Sequence, residues 1–185
     1  MAFLDPSLTR PAALWRGLGI ALCGAALITL GAKVQIPFWP VPMTLHTLAI
    51  FFVAAALGPR LGFAAMSAYL AAGAMGLPVF SNSPARGIGL AYLAGPTGGY
   101  LAGYLVSTLV VGWLSRNRGW VAQAFAMLAG LGVVYALGLL WLAAFVPVSG
   151  LIAAGLTPFI LGDLVKIVLA TGLVTGLARL KGRAQ

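Results

Sequence analysis

Six apolar runs, separated by short breaks rich in Pro, Gly or basic residues, constrain the fold of this chain more than any other feature. They cover approximately residues 13–31, 43–57, 61–77, 98–114, 120–145 and 158–178. A helix needs roughly 20 apolar residues to cross the hydrocarbon core of a bilayer, and a tilted one takes more. Lipid offers no partners to backbone N–H and C=O groups, so runs of this kind become helices that satisfy their own backbone. The expectation is an all-α, polytopic integral membrane protein with six transmembrane helices, residues 1–185 forming a single membrane domain. Composition agrees. Hydrophobic residues make up 62% of the chain and charged residues 7%, against about 25% charged in soluble domains. The first sixteen residues lack the short apolar core and cleavage site of a secretory signal, so they read as a retained cytoplasmic end.

The charges give an orientation. Eleven Lys and Arg face only Asp5 and Asp163, for a net charge of +9. In a soluble protein such a balance would suggest nucleic acid. Here the basic residues sit between apolar runs, with no basic stripe interleaved with aromatics, so they read as topology signals and contacts to membrane lipids. With six spans, Arg10, Arg16, Arg60, Arg116, Arg118, Arg179, Lys181 and Arg183 fall on one side, and Lys33 and Arg86 on the other. Basic residues accumulate in cytoplasmic loops, which predicts both termini in the cytoplasm.

The predicted outer side then carries the longer connections. Lys33 to Thr44 contains Pro37, Pro40 and Pro42, which exclude a regular helix. The segment is nonetheless apolar, and irregular backbone near membrane depth is tolerated where it lines a cavity. A Gly-rich segment runs from Pro78 to Gly99, and an uncharged loop is expected over Pro147 to Thr157.

Asp163 and Lys166, spaced i, i+3, share one face of the sixth span. Ionised groups within a span cost about 2.5–3.5 kcal/mol each on insertion scales and are usually functional. They could form a polar site, with Lys166 meeting an anionic ligand and Asp163 accepting ligand N–H groups. They could equally be a mutual ion pair that fixes helix packing. Asn82 and Arg86 could belong to a lid that bonds a small polar headgroup, or to a solvated loop. Gly17, Ala21 and Ala25 recur every four residues, a spacing that admits another helix closely, whether a partner subunit's or a neighbour's.

Several chemistries are disfavoured. One Cys, one His and two Asp give no metal cluster and no Ser/His/Asp triad, so no catalytic or metal-binding residues are assigned and no cofactor is expected. Cys23 has no disulfide partner and reads as a packing residue. Gly95-Pro-Thr-Gly-Gly99 lacks the Lys-Ser/Thr ending of a phosphate loop, so nucleotide binding is not expected. His46, the single histidine, reads most simply as a packing or hydrogen-bonding residue.

Five segments, in order along nearly the whole chain, resemble the BioY family of biotin-specific substrate-binding components of energy-coupling-factor (ECF) importers. They are Pro40-Val-Pro-Met-Thr44 with Thr47-Leu48, Leu57-Gly-Pro-Arg60, Gly76-Leu-Pro-Val-Phe80, Leu93-Ala-Gly-Pro-Thr-Gly-Gly-Tyr100 and Gly162-Asp-Leu-Val-Lys166. His46 departs from the Gln expected before Thr47. The resemblance implies the six-helix S-component fold, with biotin enclosed near the outer face. It implies ligand contacts from Asp163 and Lys166, with Asn82 and Arg86 next, and an apolar wall from Phe38, Trp39 and Phe80. It also implies an ECF transmembrane subunit and paired cytoplasmic ATPases as partners, met through Gly17, Ala21 and Ala25. A stand-alone secondary transporter for biotin or another small anionic vitamin is the alternative.

Overall fold

The computed structural model describes residues 10–36 and 43–183. Phe38 and Trp39 lie outside the described residues. The elements are α1 (Arg10–Lys33), β1 (Gln35–Ile36), β2 (Met43–Thr44), α2 (His46–Ala74), α3 (Gly89–Ala94), α4 (Gly98–Leu114), α5 (Trp120–Leu142), α6 (Val148–Gly155) and α7 (Thr157–Arg183). Among the described residues, four helical stretches are long and apolar enough to cross a membrane: Ala12–Lys33, His46–Ala74, Trp120–Leu142 and Val148–Leu180. Gly98–Leu114 is apolar but shorter.

The stretch His46–Ala74 is two helices. At 1.5 Å per residue, a straight helix would hold His46 and Tyr69 roughly 34 Å apart. Their ring centroids are 5.3 Å apart. The chain turns back at Gly58, whose φ of 80° and ψ of 177° are non-helical and sterically open to glycine almost alone. Pro59 then starts the second arm, where its missing N–H costs nothing. The arms, 46–57 and 59–74, correspond to the second and third apolar runs. They lie back to back, with the Gly62 position against the backbone of Ala54. A side chain at residue 112 would meet the backbone of Gly58 and Pro59 at 2.6–2.8 Å, so only glycine lets α4 approach this bend.

Contacts fix which ends gather together. Gly17 lies beside Leu61, Gly112 beside Pro59, and Thr175 beside Gln123. The start of α1, the Gly58 bend, the end of α4, the start of α5 and the late part of α7 therefore share one end of the bundle. The opposite end carries β1, β2, the 75–97 segment and α6.

Two expectations need correction there. The Pro-rich stretch is bordered by a short antiparallel pair, Gln35 opposite Thr44 and Ile36 opposite Met43, so the chain is not purely helical. The segment expected as a loop over Pro147 to Thr157 contains α6. Its uncharged, apolar sequence gains more from packing against α5 and α7 than from solvation.

The small-residue face of α1 is packed against its own chain. Ala21 and Ala25 are 4% and 9% exposed, and Gly17 is half-buried beside Leu61. Small side chains let α1 settle onto both arms of α2. The core between helices holds Ile28, Ile50, Phe51, Met66, Val111, Met127 and Val134. Leu14, Trp15, Leu30, Trp113, Phe125, Leu140 and Val168 point outward and exposed. Such a surface is unsuited to water and ordinary in lipid.

Candidate functional site

A cavity of about 690 Å³ opens at the end of the bundle opposite the Gly58 bend. Pockets for small ligands usually span about 300–1,000 Å³. It is enclosed by both arms of α2, by α4, α5 and α7, and by the 81–97 segment.

Its inner wall holds Asp163 and Lys166, each 5% exposed. The Lys166 ammonium donates to Asp163 Oδ1 at 2.9 Å, and the Tyr135 hydroxyl donates to Oδ2 at 2.7 Å. One turn of α7 therefore carries a buried ion pair that also faces a cavity. The two sequence readings, ion pair and polar site, describe the same residues. Burying two charges is expensive unless they are paired and further bonded, and Tyr135 supplies the further bond. Each carboxylate oxygen keeps lone-pair capacity for another donor.

The mouth is built from loops. Asn82 adopts φ 58°, a left-handed conformation that Asn tolerates better than most residues. Its side-chain oxygen accepts from Gln35 Nε2, joining the 81–97 segment to the edge of β1. The Lys33 ammonium, at the end of α1, donates to the Ser83 carbonyl at 2.7 Å and to Ser83 Oγ at 2.8 Å. Arg86 lines the exposed rim. Asp163 is the sole carboxylate side chain among the described residues, and it pairs with Lys166, so Arg86 has no carboxylate partner among them.

Of the residues singled out from sequence, Asp163, Lys166, Asn82 and Arg86 come together around this one cavity. Phe80 does not line it. It is fully buried one layer behind, stacked on Tyr92 at 4.6 Å and edge-on to Tyr69 at 5.5 Å. The bare Gly73 surface of α2 receives its ring, so Phe80 props two cavity-lining rings instead of meeting the cavity.

The tyrosines were missed. All five in the chain, Tyr69, Tyr92, Tyr100, Tyr104 and Tyr135, line the cavity. A signal was present: membrane tyrosines favour the water interface, and rings placed within apolar runs need polar company elsewhere. Tyr104 bonds Thr47 at 2.7 Å, Tyr100 donates to the Gly155 carbonyl at 2.7 Å, and Tyr92 donates to the Ser81 carbonyl at 2.8 Å. Burial raises the pKa of the Tyr92 phenol, with Thr97 and Arg86 partly offsetting the shift. It thus remains a proton donor that ties down the lid.

Fold and site together define a membrane-embedded protein with a cavity of small-molecule size, lined by polar and aromatic side chains, near one end of its helices. A family model described as "BioY family" matches residues 7–183, and the chain belongs to the BioY family. It is 40% identical over 158 residues to the biotin transporter BioY of Thermotoga maritima, covering 84% of this chain and 92% of that one. It is 37% identical over 141 residues to the probable biotin transporter BioY of Pyrococcus horikoshii, covering 76% and 83%. With BioY2 of Lactococcus lactis subsp. cremoris, a biotin transporter, identity is 36% over 168 residues, covering 89% and 90%. Among solved structures, the S-component for biotin from an ECF-type ABC transporter matches with a TM-score of 0.78 and 26% identity, covering 94% of this chain and 95% of that one.

Proposed function

We propose that this chain captures biotin and carries it across the cell membrane as the substrate-binding subunit of an ECF-type importer. It is a multi-pass membrane protein and not an enzyme. The observation that carries the reading is a cavity with a paired Asp163–Lys166 wall inside and an Arg86 cation at its rim. Biotin has matching ends: a ureido ring with two N–H donors and a carbonyl, and a carboxylate at the far end of an alkyl chain. The ureido N–H groups bond Asp163 and Asn82. Sequence reasoning offered Lys166 to the ligand's anion, but its charge is already matched by Asp163, so Arg86 takes the carboxylate. The alkyl chain runs between, along Leu101, Val134 and the tyrosine faces. Phe80 supports this wall from behind.

The chain spans the membrane six times, with both arms of α2 counted separately and both termini in the cytoplasm. Support comes from the gathering of Arg16, Arg60, Arg116, Arg118 and Arg179 at the Gly58 end of the bundle, away from the cavity, as the basic-loop bias requires. The partners are an ECF transmembrane subunit and paired cytoplasmic ATPases, which supply the energy.

Calorimetric titration of the detergent-solubilised, ligand-free protein with biotin tests the capture. Saturable, near-stoichiometric binding is expected. No heat at two temperatures, from folded protein, would sink the reading. Accumulation of biotin in vesicles carrying the chain alone would favour a stand-alone secondary transporter.

A further inference from the structure

Among the described residues, two buried polar atoms of cavity-lining side chains have no hydrogen-bond partner: His46 Nε2 and Tyr69 Oη. Both residues line the cavity, at 7% and 1% exposure. They come from opposite arms of the α2 hairpin, and their rings are tilted against each other with centroids 5.3 Å apart. Tyr104 closes His46 from the other side at 5.1 Å, but its hydroxyl is engaged with Thr47. Buried polar groups are almost always bonded, and each exception calls for an explanation. Two exceptions on adjacent rings, in residues that line one cavity, point to a partner that arrives with the ligand as the site closes around it.

Donor and acceptor supply identifies that partner. Asp163 and Asn82 offer oxygen acceptors to ligand N–H groups, and Arg86 offers charge to an anion. For a neutral acceptor on the ligand, Lys166 offers its remaining charged N–H groups, and the uncharged donors without a partner of their own are on His46 and Tyr69. A tyrosine hydroxyl and an Nε2–H imidazole are both uncharged donors. A carbonyl oxygen has two lone pairs and can accept from both.

We propose that His46 and Tyr69 form a neutral donor pair, set in the α2 hairpin, that recognises a carbonyl oxygen of the bound ligand. This rests on the biotin reading, in which the oxygen is that of the ureido group. The pair then acts as a specificity device, because a ligand lacking the oxygen leaves both donors unpaired in a closed site.

The test compares biotin with 2-iminobiotin, which keeps the bicyclic shape but, protonated at neutral pH, presents an N–H donor where biotin has its carbonyl acceptor. Affinities are measured by calorimetry for the parent and for His46→Leu, Tyr69→Phe and His46→Gln. The parent is expected to prefer biotin. His46→Leu and Tyr69→Phe should each shrink that preference by about tenfold, the scale of losing one hydrogen bond in a closed site. His46→Gln, which restores an N–H donor, should recover part of it. Tyr69→Phe removes one oxygen from a ring that otherwise keeps its packing, so it keeps the test decisive if His46→Leu does not fold. Folded variants that keep the parent's ratio, or lower both affinities equally, would overturn the inference while leaving biotin capture intact. A parent that binds no biotin would overturn both.

Discussion

Removing the charge of Asp163 separates a purely structural ion pair from a ligand site. Asp163 accepts from Lys166 at 2.9 Å and from Tyr135 at 2.7 Å, at 5% exposure. Asp163→Asn leaves the Lys166 ammonium buried without its counter-ion, and breaking a buried pair in this way costs about 3–5 kcal/mol. Lys166→Met strands the carboxylate at a similar cost. The double variant Asp163→Asn/Lys166→Met strands neither charge, so most of the lost stability should return. Binding should behave differently. Hydrogen bonds to a charged group contribute about 1.5–3 kcal/mol, so losing the carboxylate from a ureido contact weakens biotin by roughly 10- to 150-fold. The double variant should therefore melt near the parent temperature in detergent and still bind biotin poorly. Melting curves and calorimetric titrations on the three variants give both readouts. If the double variant recovers stability and parental affinity together, the pair is structural only and the site assignment fails.

Other consequences are more local. Arg86→Ala should weaken biotin but leave biotin methyl ester, which lacks the anion, nearly unaffected in the same titration; equal loss for both would remove Arg86 from the carboxylate end. Gly58→Ala forces a Cβ into a glycine-only backbone region and should cost about 1–3 kcal/mol, read as a lower melting temperature; an unchanged one would argue against the tight α2 hairpin. A cysteine replacing exposed Ala85, in a Cys23→Ala background, should react with an impermeant maleimide from outside intact cells. Ser83 would serve less well, being buried and bonded to Lys33. Labelling of Ala85→Cys only after the cytoplasmic side is opened would reverse the orientation.

The sequence by itself determined the solvent and much of the architecture. Long apolar runs have one stable outcome in lipid, because unpaired backbone is intolerable there, so helices stand where the runs stand. Pro and Gly marked the breaks, Gly58-Pro59 most sharply. Asp163 and Lys166 drew attention as charges in an apolar helix, a local anomaly that needs no neighbour to notice. Tertiary structure decided what these residues face. Spacing along one helix could not separate an ion pair from a cavity wall, and the structure makes the pair part of the wall. Neither could it choose between a partner subunit and α2 as the cover for Ala21 and Ala25, since small residues suit any close helix. Phe80 read as a ligand wall until its ring proved to be seated over Gly73. The five tyrosines, spread over four helices, share a cavity that no segment encodes alone. His46 and Tyr69 are 23 positions apart in the chain. They meet because the backbone reverses at Gly58, and their missing partners show only once the surroundings are packed.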